Sequence, residues 1–578
     1  MDSKTRQCQN CNQDFVIEAD DVAFYEKIKV PAPTFCPWCR FTRRVVWRNE
    51  RTLYRRACDS CKKNIISIYS LKSPYTVYCN ECFHDDKWDP LSFGREYDFS
   101  RPFFEQLKEL QLRVPRLYSF VFKNANSDYT NGAAFNKNCY MIFVSDNNED
   151  SFYSYWIMHS RNIADCHTLN DCEFCYECVG CKKCYMTKFS EDCTNCQNVI
   201  ACKNCSNCQN CIGCVNLKNK NYCIFNEQYS KDDYTEKIKE LNLQKHEGIR
   251  AVLDKVHELS ANSIVKYMHG IQNANVVGDY VFNSKNTFDC FGSNSIEDSK
   301  YITWGDNSNN CQDGYVMVDK STFSYEVVSG INLNNVKFSF LCQNDFDSQY
   351  CDKCENSSNL FGCIGIMKKE YCILNKQYLK EEYDELLPKI ISHMNSEPYI
   401  DKGGIEYKYG EFFPATLVPF AYNETVAQEY SSKNKEEVQK MGYFWREPEE
   451  RNYKVTLDSK DLSQSIEETT ESILNEIIGC EHEGKCNEGC TLAFKIIPEE
   501  LQLYRKMGVP IPRLCFNCRH AQRFKKKNPQ KLWHRACMCD KKNHSHGEEK
   551  CSNEFETSYA PDRPEIVYCE QCYQQEVA

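Results

Sequence analysis

No run of about 18 apolar residues occurs in the chain, so no segment is long and apolar enough to cross a bilayer as a helix. The opening stretch, MDSKTRQCQN, lacks the apolar centre of a secretory leader, and the expected setting is the reducing cytoplasm. Glycine is scarce, at 22 of 578 residues, and none of it forms a nucleotide-cradling loop. Strand–helix alternation of the α/β kind is also missing. No acid–base constellation stands out. His159, His167, His257 and His269 are scattered, and Asp146 with Glu149, in SDNNED, reads as a polar turn. An enzyme is therefore the weakest of the functional readings. What the chain has in abundance is cysteine, 40 residues, alongside 36 Tyr and 33 Phe. In a reducing compartment that many thiols point to metal sites or buried side chains rather than disulfides.

The ends carry paired knuckles. Cys8-x-x-Cys11 is followed by Cys36-x-x-Cys39, and Cys58-x-x-Cys61 by Cys79-x-x-Cys82. Each pair offers four thiolates, a closed tetrahedral shell suited to structural zinc. The pattern returns near the C-terminus at an offset of 479, which carries Cys11, Tyr25, Pro31, Cys36, Cys39, Arg40 and Arg44 onto Cys490, Tyr504, Pro510, Cys515, Cys518, Arg519 and Arg523. The third set reads Cys486, Cys490, Cys515 and Cys518, with Cys480 or His482 able to compete. The fourth reads Cys537, Cys551, Cys569 and Cys572, with Cys539 the rival to Cys537. Its first knuckle is opened by an 11-residue insertion. His544 and His546 fall in that insertion and read as solvated loop side chains, a ligand role being the alternative. The expected content is about four zinc ions.

The stretch CQNCNQDFVIEADDVAFYEKIKVPAPTFCPWCR resembles the zinc-ribbon or treble-clef family in its first CxxC, its FY, and its closing P-x-x-C-P-x-C-R knuckle. That resemblance implies a fold and attaches no reaction.

The middle is a second duplication. CVNLKNKNYCIFNEQYSKDDY (214–234) matches CIGIMKKEYCILNKQYLKEEY (363–383) at an offset of 149. A shorter period of 21 links Cys172, Cys193 and Cys214, and also Cys181, Cys202 and Cys223. Residues 172–184, CEFCYECVGCKKC, place a thiol at every third position. Such short repeats predict a parallel β-solenoid with 21-residue coils and inward thiols. The second copy has Asp345 for Cys196 and Gly330 for Cys181, which favours replaceable filler over metal or disulfides.

The expected fold is multidomain and mainly β. Double zinc-ribbon modules span 1–95 and 479–578, and solenoid copies span 124–229 and 273–377. Helical segments fill 96–123, 230–272 and 378–399, and a connector covers 400–478. In this order the whole chain resembles long uncharacterised zinc-ribbon proteins of reduced-genome candidate-phyla bacteria. These sometimes carry an automatic CaiB/BaiF-type CoA-transferase label, which nothing in this sequence supports.

The net charge of -11 hides two basic stretches. Arg40, Arg43, Arg44 and Arg48 follow the first closing knuckle, with Trp47 and Tyr54 nearby. Arg519, Arg523, Lys525, Lys526 and Lys527 follow the third. Basic and aromatic residues beside zinc knuckles suit phosphate contact and base stacking, and favour nucleic acid, RNA slightly ahead of DNA. Charge compensation of the thiolates and a protein partner are the alternatives.

Overall fold

The computed structural model describes residues 2–316, 320–447 and 453–577. The chain is multidomain and strand-rich, with a cysteine cluster group at each end. The two ends share a backbone plan. An antiparallel hairpin (Lys4–Gln7 with Asp14–Ile17) leads into helices Ala19–Lys27 and Pro37–Val45, then a second hairpin, Tyr54–Ala57 with Asn64–Ser67. At the other end Ile478–Gly479 pairs with Ala493–Phe494, followed by helices Pro498–Met507 and Phe516–Lys525 and the hairpin Trp533–Ala536 with Glu554–Thr557. Local chemistry sets the helix starts. Pro37 and Pro498 occupy first-turn positions where no amide donor is missed, and Asp21 accepts the Glu18 amide at 3.2 Å.

The middle of the chain pairs with itself in parallel at a fixed spacing. Ala125 lies beside Lys137, Lys137 beside Glu149, Glu173 beside Tyr185 and Lys203 beside Val215, so one turn takes twelve residues. The 21-residue turn expected from the sequence is therefore wrong, and the backbone shows why. Asn195, Asn198, Ala201, Asn204, Asn207 and Asn210, each three residues on, have φ between 49° and 55°. Each such residue bends the chain, and the residue after it (Cys196, Val199, Cys202, Cys205, Cys208, Cys211) is buried. Any multiple of three keeps the thiols inside, so a 21-residue sequence period is compatible with a twelve-residue turn. Asn tolerates the left-handed conformation better than most residues. Its amides also stack between turns, Asn195 to Asn207 at 3.3 Å and Asn207 to Asn219 at 3.1 Å.

The interior columns follow the twelve-residue turn: Cys172, Cys184, Cys196 and Cys208 in one, Cys166, Cys178, Ser190, Cys202 and Cys214 in another. Cys172 does not stack on Cys193, as a 21-residue turn required. The Cys166 thiol donates to the Ala164 carbonyl at 3.3 Å. Ser190 does the same to the Lys188 carbonyl at 2.9 Å, so hydroxyl and thiol are interchangeable in this column.

The second copy repeats the arrangement with an eleven-residue turn at its start, where Ala274 lies beside Lys285, and a thirteen-residue turn further on, where Asn309 lies beside Thr322, Gln312 beside Tyr325 and Tyr315 beside Val328. Between these two irregularities the copies correspond at an offset of 148, and after the extra residue at 149. Helices follow each copy, Lys231–Glu240 with His246–Ala261, and Lys380–Ser396.

The ends cross over. Helix Pro37–Val45 packs on strand Tyr325–Val328 of the second copy, and helix Phe516–Lys525 on strand His167–Asn170 of the first. Meanwhile Val77–Tyr78 pairs in parallel with Arg116–Leu117, just ahead of the first copy, and Ile566–Tyr568 with Ile264–Lys266, just ahead of the second. Each end is thus tied to its own copy by a strand and to the other copy by a helix. The segment over 400–478 covers this junction. Phe412 and Phe413 are buried with ring centroids 6.1 and 4.8 Å from that of Trp47, and the Gly410 amide donates to the Tyr350 hydroxyl at 3.0 Å. Part of GYFWREPEERNY, residues 448–452, lies outside the described residues.

Candidate metal centres

Four cysteine quartets are built on one local device. A hairpin tip presents the first thiol to the amide of the cysteine that precedes a helix. Cys36 N donates to Cys8 Sγ at 3.3 Å, Cys79 N to Cys58 Sγ at 3.2 Å, Cys515 N to Cys480 Sγ at 3.3 Å, and Cys569 N to Cys537 Sγ at 3.2 Å. The last two cysteines of each quartet sit at the start of that helix. In each of Cys8/Cys11/Cys36/Cys39, Cys58/Cys61/Cys79/Cys82, Cys480/Cys490/Cys515/Cys518 and Cys537/Cys551/Cys569/Cys572, all four sulfurs lie within 4.8 Å of one another. These groups could hold a metal ion, and four soft donors suit zinc. Amide donors favour the charged sulfur. Burial opposes ionisation of Cys58, yet the amides of Cys79, Cys61 and Ser60 bring its pKa down to about 7. Neighbouring thiols, Cys36 and Cys39 at one site and Cys480 and Cys518 at another, hold Cys8 and Cys515 far below the usual thiol range.

In the third quartet the sulfurs brought together are those of Cys480, Cys490, Cys515 and Cys518, Cys480 being the alternate that the sequence left open beside Cys486. The first thiol is Cys480, whose amide closes the hairpin on Leu492 O at 2.8 Å as Cys8 N does on Gln13 O at 2.9 Å. Cys486 sits in the widened loop, its sulfur still 3.6 Å from that of Cys518. His482 faces Glu488 instead, at 3.5 Å. The sequence left the two open because the loop between the first two thiols has lengthened, placing Cys486 nearer to Cys490 than Cys480 is.

In the fourth quartet Cys537 keeps its place. Cys539 is not a substitute for it. With His544, His546 and Cys572 it forms a further group whose ligand atoms also lie within 4.8 Å of one another. The expectation of solvated loop histidines is thus overturned, because the insertion folds back over the quartet.

The arginines expected to face nucleic acid face the protein. Arg40, Arg43, Arg44, Arg48, Arg519 and Arg523 are buried, the most exposed at 7%. Arg40 and Arg44 share Asp313 at 2.8 and 2.9 Å. Arg43 pairs with Glu326, and with Glu411 at 2.7 Å. Arg48 pairs with Glu50 at 2.7 Å. At the other end Arg519 and Arg523 share Asp165, the latter at 2.9 Å, and Arg523 also reaches Glu177 at 3.3 Å. Asp165 corresponds to Asp313 and Glu177 to Glu326, so the interface is duplicated along with the chain. Zinc charge compensation does not explain them either, since their partners are carboxylates: of the coils for Arg40, Arg44, Arg519 and Arg523, of the coils and the 400–478 segment for Arg43, and Glu50 of the N-terminal end for Arg48. Of the three lysines, Lys525 is exposed, Lys526 meets Glu191 at 3.2 Å, and Lys527 lies 4.2 Å over the Trp304 ring. The sequence also gave no sign of the network around His269, whose ring meets Asp279 Oδ1 at 2.9 Å and the Tyr559 hydroxyl at 3.3 Å.

No protein-family model matches the chain, and no curated protein matches it. Among solved structures, a protein from Desulfovibrio desulfuricans G20 described as a candidate acetyltransferase aligns at 12% identity over 50% of this chain and 87% of its own, with a TM-score of 0.09. A score that low carries no argument about fold or function.

Proposed function

We propose that the protein is a non-enzymatic structural-zinc scaffold. The four quartets hold zinc in closed tetrahedral shells, with Cys480 rather than Cys486 in the third. The ends are zinc-ribbon or treble-clef modules, and the duplicated middle is a pair of β-solenoids that presents a surface to protein partners. The observation that carries this reading is the inward turn of the arginines: the basic residues beside the knuckles bind the coils to the modules. Zinc would then fix the hairpin and helix that carry each arginine pair, and the arginine pair fixes the opposite copy. A duplicated, cross-braced body of this kind suits a rigid platform.

Crosslinking in cells followed by affinity capture tests the proposal. Protein partners should remain on the chain when salt is raised, while RNA and DNA are recovered at background. Capture of mixed-sequence nucleic acid with steep salt dependence would overturn the scaffold reading in favour of phosphate contact.

A further inference from the structure

The insertion that opens the last knuckle brings its module to seven donors, more than one tetrahedral ion needs. We infer that the C-terminal module binds two zinc ions sharing the Cys572 thiolate, one in Cys537/Cys551/Cys569/Cys572 and a second in Cys539/His544/His546/Cys572. This rests on the reading of the quartets as zinc sites and extends it to a site that the insertion builds against Cys572.

Three observations converge. The first is the donor set. Two tetrahedral ions that share one ligand need seven donors between them, and the two groups supply seven different residues with Cys572 common to both. The second is ring orientation. His544 turns Nδ1 toward Cys539 Sγ at 3.2 Å, and His546 turns Nε2 toward the same sulfur at 3.4 Å. One nitrogen of each ring therefore faces the shared space. The third is what the other nitrogens do. His544 Nε2 faces the Glu576 carboxylate at 3.3 Å, and His546 Nδ1 faces the Glu549 carbonyl at 2.6 Å. An acceptor on the outer nitrogen places the proton there and leaves the inner nitrogen's lone pair for a metal, the usual arrangement behind a zinc-bound histidine. Solvated loop histidines have no reason to converge on one buried thiol with both outer nitrogens held.

Mixed sulfur and nitrogen donors select zinc over the oxygen-seeking divalent ions. The second ion would close a loop that otherwise has little core of its own, since Lys541, Lys542, Asn543, Ser545 and Gly547 are exposed. The corresponding N-terminal knuckle, Cys58-x-x-Cys61, has no such insertion, so the two ends should differ by one ion.

Elemental analysis of the purified full chain is the test. Five zinc ions per chain are expected, falling to four in the double variant His544→Ala with His546→Ala, and to four in Cys539→Ser. Four in the unaltered chain and four in both variants would overturn the second ion while leaving the quartets intact. A chain that retains no zinc would overturn the quartets as well. Cobalt(II) loading of the unaltered chain gives a readout free of folding effects. Two ions bridged by one sulfur couple magnetically, so the electron paramagnetic resonance signal should fall short of additive as the last site fills. A strictly additive signal through saturation would sink the shared-thiolate arrangement.

Discussion

Trp156 and Trp304 meet with ring centroids 4.2 Å apart and ring planes inclined at 31°, and they occupy the same position in the two copies. Their contact lies at the crossing point of the duplicated unit. Around it several features occur twice. Arg40 lies over the Tyr301 ring at 5.1 Å and Arg519 over the Tyr153 ring at 4.9 Å. Tyr25 meets Tyr325 at 5.4 Å and Tyr504 meets Tyr176 at 5.5 Å. The duplicated chain thus folds as two halves that exchange their arginine helices, much as two protomers would exchange arms, but within one polypeptide.

The shared carboxylates are the points at which this exchange can be broken. Asp313→Ala leaves Arg40 and Arg44 buried with one anion fewer, and Asp165→Ala does the same to Arg519 and Arg523. Removing one partner of a buried charge group costs about 3–5 kcal/mol. Each variant should show a loss of that order in urea unfolding, and raising salt should not restore it, because buried pairs are poorly screened. A loss below about 1 kcal/mol, the range of surface pairs, would contradict the brace.

The lysine run should divide by position rather than act as a patch. Lys525 has its side chain 69% exposed, and Lys525→Ala should change stability by no more than about 0.5 kcal/mol. Lys527 donates to Thr168 Oγ1 at 3.0 Å under the Trp304 ring. Desolvation pulls its pKa down to about 7 against the opposing pull of Asp192 and Asp279. Lys527→Ala should cost about 1–3 kcal/mol through lost packing and the lost bond to Thr168, whose hydroxyl keeps the His167 ring nitrogen at 2.8 Å. Equal effects of the two substitutions in thermal unfolding would refute the distinction.

The cysteine quartets were legible in the sequence because a ligand set of this type is encoded within a hairpin and a helix start. The duplications were legible for the same local reason. The length of the coil was not, since the thiols report only that inward positions recur every third residue, and both 12 and 21 satisfy that. The role of the arginines was hidden more deeply. Arg44 and Asp313 are separated by 269 residues, and a basic stretch looks the same in sequence whether it faces phosphate or a buried carboxylate. The histidines of the insertion were visible, but only the fold-back of the loop brings them to Cys539.

The thiol columns make a separate prediction. Cys202 stands in the column that already contains Ser190, and each side chain there donates to a backbone carbonyl two residues earlier. Cys202→Ser should therefore cost less than about 1.5 kcal/mol. Cys202→Leu should cost about 1–3 kcal/mol, because two further carbons must be fitted at a position that is already fully buried. Zinc content should not change in either. Loss of metal from Cys202→Ser would show that the columns bind metal after all.

Asp345 offers a test by pH. It occupies in the second copy the position of Cys196 in the first, accepts the Ser357 amide at 2.9 Å, and is buried. Burial, the dominant cause, pushes its pKa from 3.8 up to about 7. Between those two values the unfolded chain gives up this proton and the folded chain keeps it, so the contribution of Asp345 to stability falls as pH rises through the window and is flat above about 7. A neutral residue at this position removes the penalty. Asp345→Cys, which restores the residue of the first copy, and Asp345→Asn, which keeps the acceptor for the Ser357 amide, should both be more stable than the parent near about pH 8 and closer to it near about pH 5.5. A gain of about 2 kcal/mol or more at the higher pH is the expected scale. Measuring parent and variant together at each pH cancels any effect of acid on the cysteine quartets. A gain that is the same at both pH values would mean that packing, and not a buried proton, distinguishes the two copies at this position.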